Sequence, residues 1–130
     1  MSCVVEDANT KEKINLYGQR PKGHLILLPS WRMNGILTGE NRKPPRTPED
    51  ALAAMQSMAA YSGVYRFEDG KFITKVDIAW DESWVGTEQV RLYRFEGNIL
   101  NIETAPAVGL VPGLLPGRMV RGILSFVRDA

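Results

Sequence analysis

The sequence predicts an all-β domain: an antiparallel barrel or sandwich of about eight or nine strands with one α-helix at about 48–60. Three observations predict it. Short apolar and β-branched runs recur through most of the 130 residues, each bounded by turn-forming residues. Two boundaries, Asp69-Gly70 and Gly97, carry hairpin chemistry. One stretch alone carries helix-start chemistry, Thr47-Pro48-Glu49-Asp50.

Ser2 to Glu6 is apolar and β-branched, Asp7-Ala8-Asn9-Thr10 reads as a turn, and Lys13 to Tyr17 as its return strand. Gly23 opens the apolar run His24 to Leu28, Pro29-Ser30 breaks it, and Trp31 to Leu37 follows. At Thr47 a hydroxyl N-cap precedes proline at the first helical position, and Glu49 and Asp50 place acids beside the helix N-terminus. Good helix formers run from Ala51 to Ala60, with Leu52, Met55, Met58 and Ala59 on one face, which predicts a helix covering the core. Its pattern stops near Tyr61-Ser62-Gly63. Ser62 to Glu68 and Lys71 to Trp80 flank Asp69-Gly70; Thr87 to Glu96 and Asn98 to Thr104 flank Gly97. Arg118 to Arg128 is the last strand.

Two connections stand out. Gly39 to Arg46 is polar and basic, and its Arg42, Lys43 and Arg46 read as a solvated loop. Ala105 to Gly117 is apolar and rich in Pro and Gly. Loops are ordinarily polar because water satisfies their backbone, so this one needs a surface: its own core, the barrel mouth, a ligand or a second subunit. His24 to Leu28, and nearly so Val120 to Val127, are apolar at successive positions, whereas a strand wet on one side alternates. Burial on both faces requires a cover, which the helix, the apolar loop or a partner chain would supply, the last as a homodimer.

A length of 130 residues at 14.5 kDa fits one domain, 1–130. With 16 basic and 15 acidic residues the net charge is +1, which lacks the basic surplus of a nucleic-acid binder or a polybasic membrane arm. A lone Cys3 forms no internal disulfide or cysteine zinc cluster, and a lone His24 no multi-histidine metal site. The N-terminal residues lack signal-peptide character, and no apolar run approaches the roughly 18 residues of a membrane span, so a cytoplasmic protein is expected. There is no phosphate-binding glycine loop, G-x-S-x-G elbow or H-E-x-x-H pair, so no cofactor and no metal is expected.

Three segments carry a family resemblance. Val5-Glu6-Asp7-Ala8 runs to Gly18 and on to Pro21-Lys22-Gly23-His24-Leu25-Ile26; Tyr61-Ser62-Gly63-Val64-Tyr65 follows a T-P-E helix; and Trp84-Val85-Gly86-Thr87-Glu88-Gln89-Val90-Arg91 matches a W-x-G-T-x-Q-x-R pattern. In their order and spacing they resemble the lipocalin-like domain family of small calycin-type barrels. The family's opening G-x-W-x-L strand has little counterpart before Cys3, which predicts a seam that a partner strand could fill. His24 stands where the family has an aromatic residue, and Lys75 about where it often has histidine. The resemblance implies a cup-shaped antiparallel β-barrel around a small, mostly apolar cavity that takes a hydrophobic small molecule. Some relatives in secondary-metabolite pathways act as cofactor-free isomerases or cyclases. Fold alone does not fix activity.

Strand alternation then selects residues. Gln89, Arg91, Tyr93 and Phe95 share one face; Tyr61, Gly63, Tyr65 and Phe67 another; Phe72, Thr74, Val76, Ile78 and Trp80 a third. Met33, Tyr65, Arg91 and Tyr93 are placed in the cavity, with Trp84 at its rim. Arg91 could clamp a carboxylate, enol or carbonyl oxygen, or else pair structurally with Glu103 or Asp77. Tyr65 and Tyr93 could donate protons, or be tyrosines with satisfied hydroxyls. His24 titrates near neutrality and could act as a base, or be an edge histidine. Thus Arg91, Tyr65, Tyr93 and His24 are the candidate catalytic residues. Met33, Trp84, Gln89, Phe72 and Glu103 are the candidate substrate contacts. Cys3 has no evident base nearby. The expected function is binding of a small apolar or aromatic metabolite, with cofactor-free isomerisation or cyclisation of a natural-product intermediate as the favoured chemistry. A non-catalytic carrier is the alternative.

Overall fold

The computed structural model describes residues 1–108, 110 and 114–129, so the centre of the apolar loop (Gly109 and Val111 to Gly113) lies outside the described residues. One antiparallel sheet contains β1 (Ser2–Asp7), β2 (Lys13–Asn15), β3 (Lys22–Leu27), β4 (Arg32–Thr38), β5 (Met58–Glu68), β6 (Lys71–Ala79), β7 (Glu88–Glu96), β8 (Ile99–Glu103), β9 (Ala107–Val108) and β10 (Met119–Val127). Helix α1 (Pro48–Gln56) links β4 to β5, and a short 3-10 turn, η1 (Glu82–Trp84), links β6 to β7.

The strand order is β2-β1-β10-β8-β7-β6-β5-β4-β3, with β9 paired to β10. From β3 to β8 each strand pairs with its neighbour in sequence, while β10 inserts between β1 and β8. The ladder does not close: β2 and β3 end the sheet. The seam is bridged locally, where the Glu40 N–H donates to the Tyr17 carbonyl at 3.1 Å. Tight turns set the register. Asp69 and Gly70 have φ of 52° and 75°, the pair of positive values that a two-residue hairpin of matching twist requires.

One irregularity decides which side chains face inward. Between β5 and β6 the register shifts at Ser62/Gly63, so Gly63 opposes Val76 and Ser62 opposes Ile78. Phe72, Thr74 and Val76 are therefore buried on the interior face, while Ile78 is 65% exposed. The uninterrupted face expected from Phe72 to Trp80 is broken by this bulge, which reverses side-chain parity. Gly63 is required there by space: a Cβ would lie 2.0 Å from the Lys75 carbonyl oxygen.

The helix corrects the sequence reading in two ways. The Thr47 hydroxyl caps it as expected, accepting from the Asp50 N–H at 3.1 Å, but it ends at Gln56. Met58 to Ala60 extend β5 instead and pair with Thr38, Leu37 and Ile36 of β4, so the ladder overrides helix propensity. The helix also buries no residue; Leu52 and Met55 are 57% and 46% exposed. The basic loop holds it from the other side. Arg42 donates to the Ala54 carbonyl and the Ser57 hydroxyl, both at 3.0 Å, placing a cation at the negative helix end. Lys43 pairs with Asp50 at 3.1 Å. That loop is thus a helix clamp rather than a free solvated segment.

The core lies on the concave face, around Met33, Tyr65, Phe72 and Ile102, with Leu25, Leu27, Tyr61, Tyr93, Leu100 and Phe126 packed against them. The expectation that His24 to Leu28 is covered on both faces fails for this single chain: Ile26 and Leu28 are 45% and 44% exposed. At the other end, Asp7 joins the chain termini. Its carboxylate accepts from the Asn9 and Thr10 N–H groups at 2.8 Å and from Arg118, which leads into β10. These donors lower the Asp7 pKa to about 2.

Candidate functional site

Register and burial place Arg91 on the interior face. It lies directly opposite Phe72, and Gln89 opposite Thr74; Tyr93 lies opposite Ile102 on the other side. The guanidinium folds back along its own strand, donating to Gln89 Oε1 at 2.9 Å and to the Val90 carbonyl at 3.0 Å. Gln89 Nε2 donates to the Thr87 hydroxyl at 2.9 Å, which donates to the Trp84 carbonyl at 2.6 Å. This chain fixes the guanidinium without neutralising it: no carboxylate pairs with Arg91 among the described residues. The ion pairs expected from the sequence go elsewhere. Asp77 bonds Arg32 at 2.6 Å, and Glu103 faces Arg94 at 3.5 Å and Arg121 at 3.8 Å.

An aromatic wall stands at the Arg91 end. Trp84, on η1, lies 5.2 Å from Tyr61 and 4.9 Å from Trp80 between ring centroids. Burial raises the Tyr61 pKa, with nearby Arg91 opposing the shift, so its hydroxyl stays protonated at neutral pH. Alternation puts Tyr61 on a face with Tyr65 and Phe67 but gives no reason to single it out. Its proximity to Trp84 comes from η1, which no periodicity reveals.

Thr74 lies between these features. Its side chain is fully buried, and its Oγ1 has no hydrogen-bond partner among the described residues. A buried hydroxyl left unpaired costs about 1–3 kcal/mol. Beside it, a second aromatic series runs outward: Tyr65 to Phe72 at 5.5 Å, Phe67 to Tyr93 at 5.0 Å, and Tyr93 to Phe95 at 6.0 Å. Leu25, Leu27, Phe67, Phe72, Tyr93, Phe95, Leu100 and Ile102 surround an apolar recess of about 10 Å³, room for about one water. The interior is thus closed down on its own side chains, and Phe67 and Phe95, 44% and 62% exposed, form its mouth.

The remaining candidates divide clearly. Met33 is 1% exposed on the interior floor. The Tyr65 hydroxyl donates to the Leu28 carbonyl at 3.0 Å, an engagement that ties it to the β3–β4 turn. His24 lies opposite Ile36 on the outer face, away from Arg91. There it borders an open groove of about 350 Å³ with Asn34, Ile36, Ala60, Ser62, Ile78 and Trp80. Glu103 is also on the outer face, opposite Leu92 and Ile123. Both were expected at the interior site, and strand parity carries both away from it. Lys75 donates to the Gly86 carbonyl at 2.8 Å. Cys3 is 4% exposed, and burial raises its thiol pKa to about 11, so it is an inert thiol.

No group of three or more His, Cys, Asp or Glu side chains able to hold a metal occurs among the described residues. No described helix is long and apolar enough to cross a membrane. No curated protein and no solved structure matches the chain. A family model described as a lipocalin-like domain matches residues 1–113, which include the interior face from β3 to β8 and its Arg91 end. The chain belongs to the lipocalin-like domain family.

Proposed function

We propose that this protein binds a small apolar or aromatic metabolite on the interior face of its sheet, with an electron-rich oxygen of the ligand at Arg91. The carrying observation is the guanidinium itself, held by Gln89 and the Val90 carbonyl without a carboxylate partner among the described residues. An oriented cation among aromatic walls fits an anionic or carbonyl oxygen on an otherwise apolar molecule. Binding requires the lining side chains, Phe67 and Phe95 first, to part and enlarge a recess of about 10 Å³.

Cofactor-free chemistry on a natural-product intermediate is a second reading, favoured by Tyr61. A protonated phenol within electrostatic range of Arg91 adds a neutral donor to the cation on the interior face, the kinds of group that stabilise an enolate or a polarised carbonyl. Cyclisation uses that stabilisation together with enclosure of a folded substrate. Isomerisation by proton transfer needs a base in addition, and the interior face from β3 to β8 presents no carboxylate or imidazole among the described residues. Cyclisation is therefore the better supported of the two.

Titration of β-naphthoate, followed by tryptophan fluorescence, tests the binding reading. Arg91→Ala should weaken binding about 10- to 100-fold, the range of a lost charge-assisted hydrogen bond. Undiminished affinity would refute the assignment. For an identified substrate, Tyr61→Phe separates enzyme from carrier: an enzyme loses turnover with binding retained, a carrier has no turnover to lose.

The proposal extends to a homodimer in the cytoplasm. Ile26, Ile36, Val64 and Ile78 are 41–65% exposed on one outer face, beside the unpaired edge of β3. Sedimentation at the mass of one 14.5 kDa chain would remove the dimer.

A further inference from the structure

We propose that Thr74 forms the second half of the polar subsite, and that Arg91 and Thr74 together make the site one for an aromatic carboxylate, preferred over its neutral isosteres by the charge of Arg91. The inference rests on the interior-binding reading and adds the ligand's chemical class.

Three observations converge. The Thr74 side chain is fully buried, and Oγ1 has no partner among the described residues. The amide directly across from it is engaged elsewhere: Gln89 Oε1 accepts from Arg91 and Nε2 donates to Thr87. Third, the guanidinium bonds the residue that faces this hydroxyl across the ladder. Thr74 lies directly across from Gln89, and Arg91 reaches back along β7 to bond that same Gln89. The cation and the orphan hydroxyl thus flank one residue on one face of the sheet.

A carboxylate has two oxygens on one carbon, so a single group can take the guanidinium at one and the threonine hydroxyl at the other. A neutral carboxamide can put its oxygen at the guanidinium and its amino group at the hydroxyl, which also accepts, but it lacks the negative charge that strengthens the bond to Arg91. Phe72 stands directly opposite Arg91 and also lines the apolar recess, so the two parts of the site are continuous. The aromatic body of the ligand lies among Phe67, Phe72, Tyr93 and Phe95, and its carboxylate lies at Arg91 and Thr74.

The test uses β-naphthoate and β-naphthamide with the full chain, as wild type, Thr74→Val, Thr74→Ser and Arg91→Ala. Affinity and the ligand-free thermal midpoint are both read. Wild type should bind the naphthoate about 10-fold more tightly than the naphthamide. Thr74→Val should leave the ligand-free midpoint unchanged or raise it, because it removes a desolvated hydroxyl. It should also weaken naphthoate about 10-fold, and Thr74→Ser should restore that affinity, whereas Arg91→Ala should erase the preference over the amide. A raised midpoint with naphthoate affinity unchanged overturns the proposal, since the hydroxyl is then only an unpaired core group. If affinity depends on Arg91 but not on Thr74, this inference alone falls. If neither compound binds wild type, the interior-binding reading falls with it.

Discussion

A methyl group added at Gly63 should destabilise the fold far more than one added at Gly35, although both glycines lie on the interior face of adjacent strands. At Gly63 the new Cβ would stand 2.0 Å from the Lys75 carbonyl oxygen, 2.8 Å from its carbonyl carbon and 3.0 Å from Thr74 Cγ2. Two of those three atoms are backbone, so relief requires the bulge to open rather than a side chain to turn. At Gly35 the nearest atoms are side-chain carbons of Met33 and Leu25 at 3.6 and 3.8 Å, ordinary contact distances. Overpacking in a well-packed interior costs about 1–3 kcal/mol, and a backbone clash puts Gly63→Ala at about 3 kcal/mol or more. With an unfolding entropy of about 2.1 cal/mol/K per residue, a chain this long loses about 10 °C of midpoint for that cost. Gly35→Ala should lie within about 3 °C of wild type, helped by the smaller entropy of its unfolded chain. Thermal unfolding followed by far-ultraviolet circular dichroism measures both. Equal midpoints for the two variants would show that the β5–β6 register shift is not where the structure puts it.

The other expectations concern named groups. Asp7 has its pKa lowered from 3.8 to about 2 in the fold, so the stability it confers is present above about pH 4 and is lost as pH falls toward 2. The stability gap between wild type and Asp7→Asn should narrow across that window in denaturant titrations, and a constant gap contradicts the hold of the Thr10 and Asn9 N–H groups and Arg118 on the carboxylate. Tyr65→Phe should cost about 1–2 kcal/mol, because the Leu28 carbonyl loses its donor; no loss would free Tyr65 for a role in chemistry. Cys3 should resist a thiol reagent at pH 8 until the protein unfolds, given its burial and a pKa of about 11. Leu52→Ala should shift stability by less than about 0.5 kcal/mol, since the helix buries nothing, and a large loss would mean that α1 is covered in solution.

The sequence by itself determined the strand sequence and the helix start. Those are local matters: alternation, turn residues such as Asp69-Gly70, and the Thr47 cap act over two to four positions. It also put Arg91, Gln89, Tyr93, Tyr65 and Phe72 on common faces, because parity holds along any uninterrupted strand. Only the tertiary structure decided which face turned inward, and that excluded His24 and Glu103 while admitting Tyr61. The bulge at Gly63 interrupts parity within β6 and sends Ile78 outward, a consequence of pairing that the strand's own composition does not record. Met58 to Ala60 are good helix formers that become strand because β4 is beside them. The orphan hydroxyl of Thr74 belongs to the same class. An unpaired group is defined by what surrounds it, and its surroundings come from β5 and β7, up to 15 positions away in the chain (74 to 89).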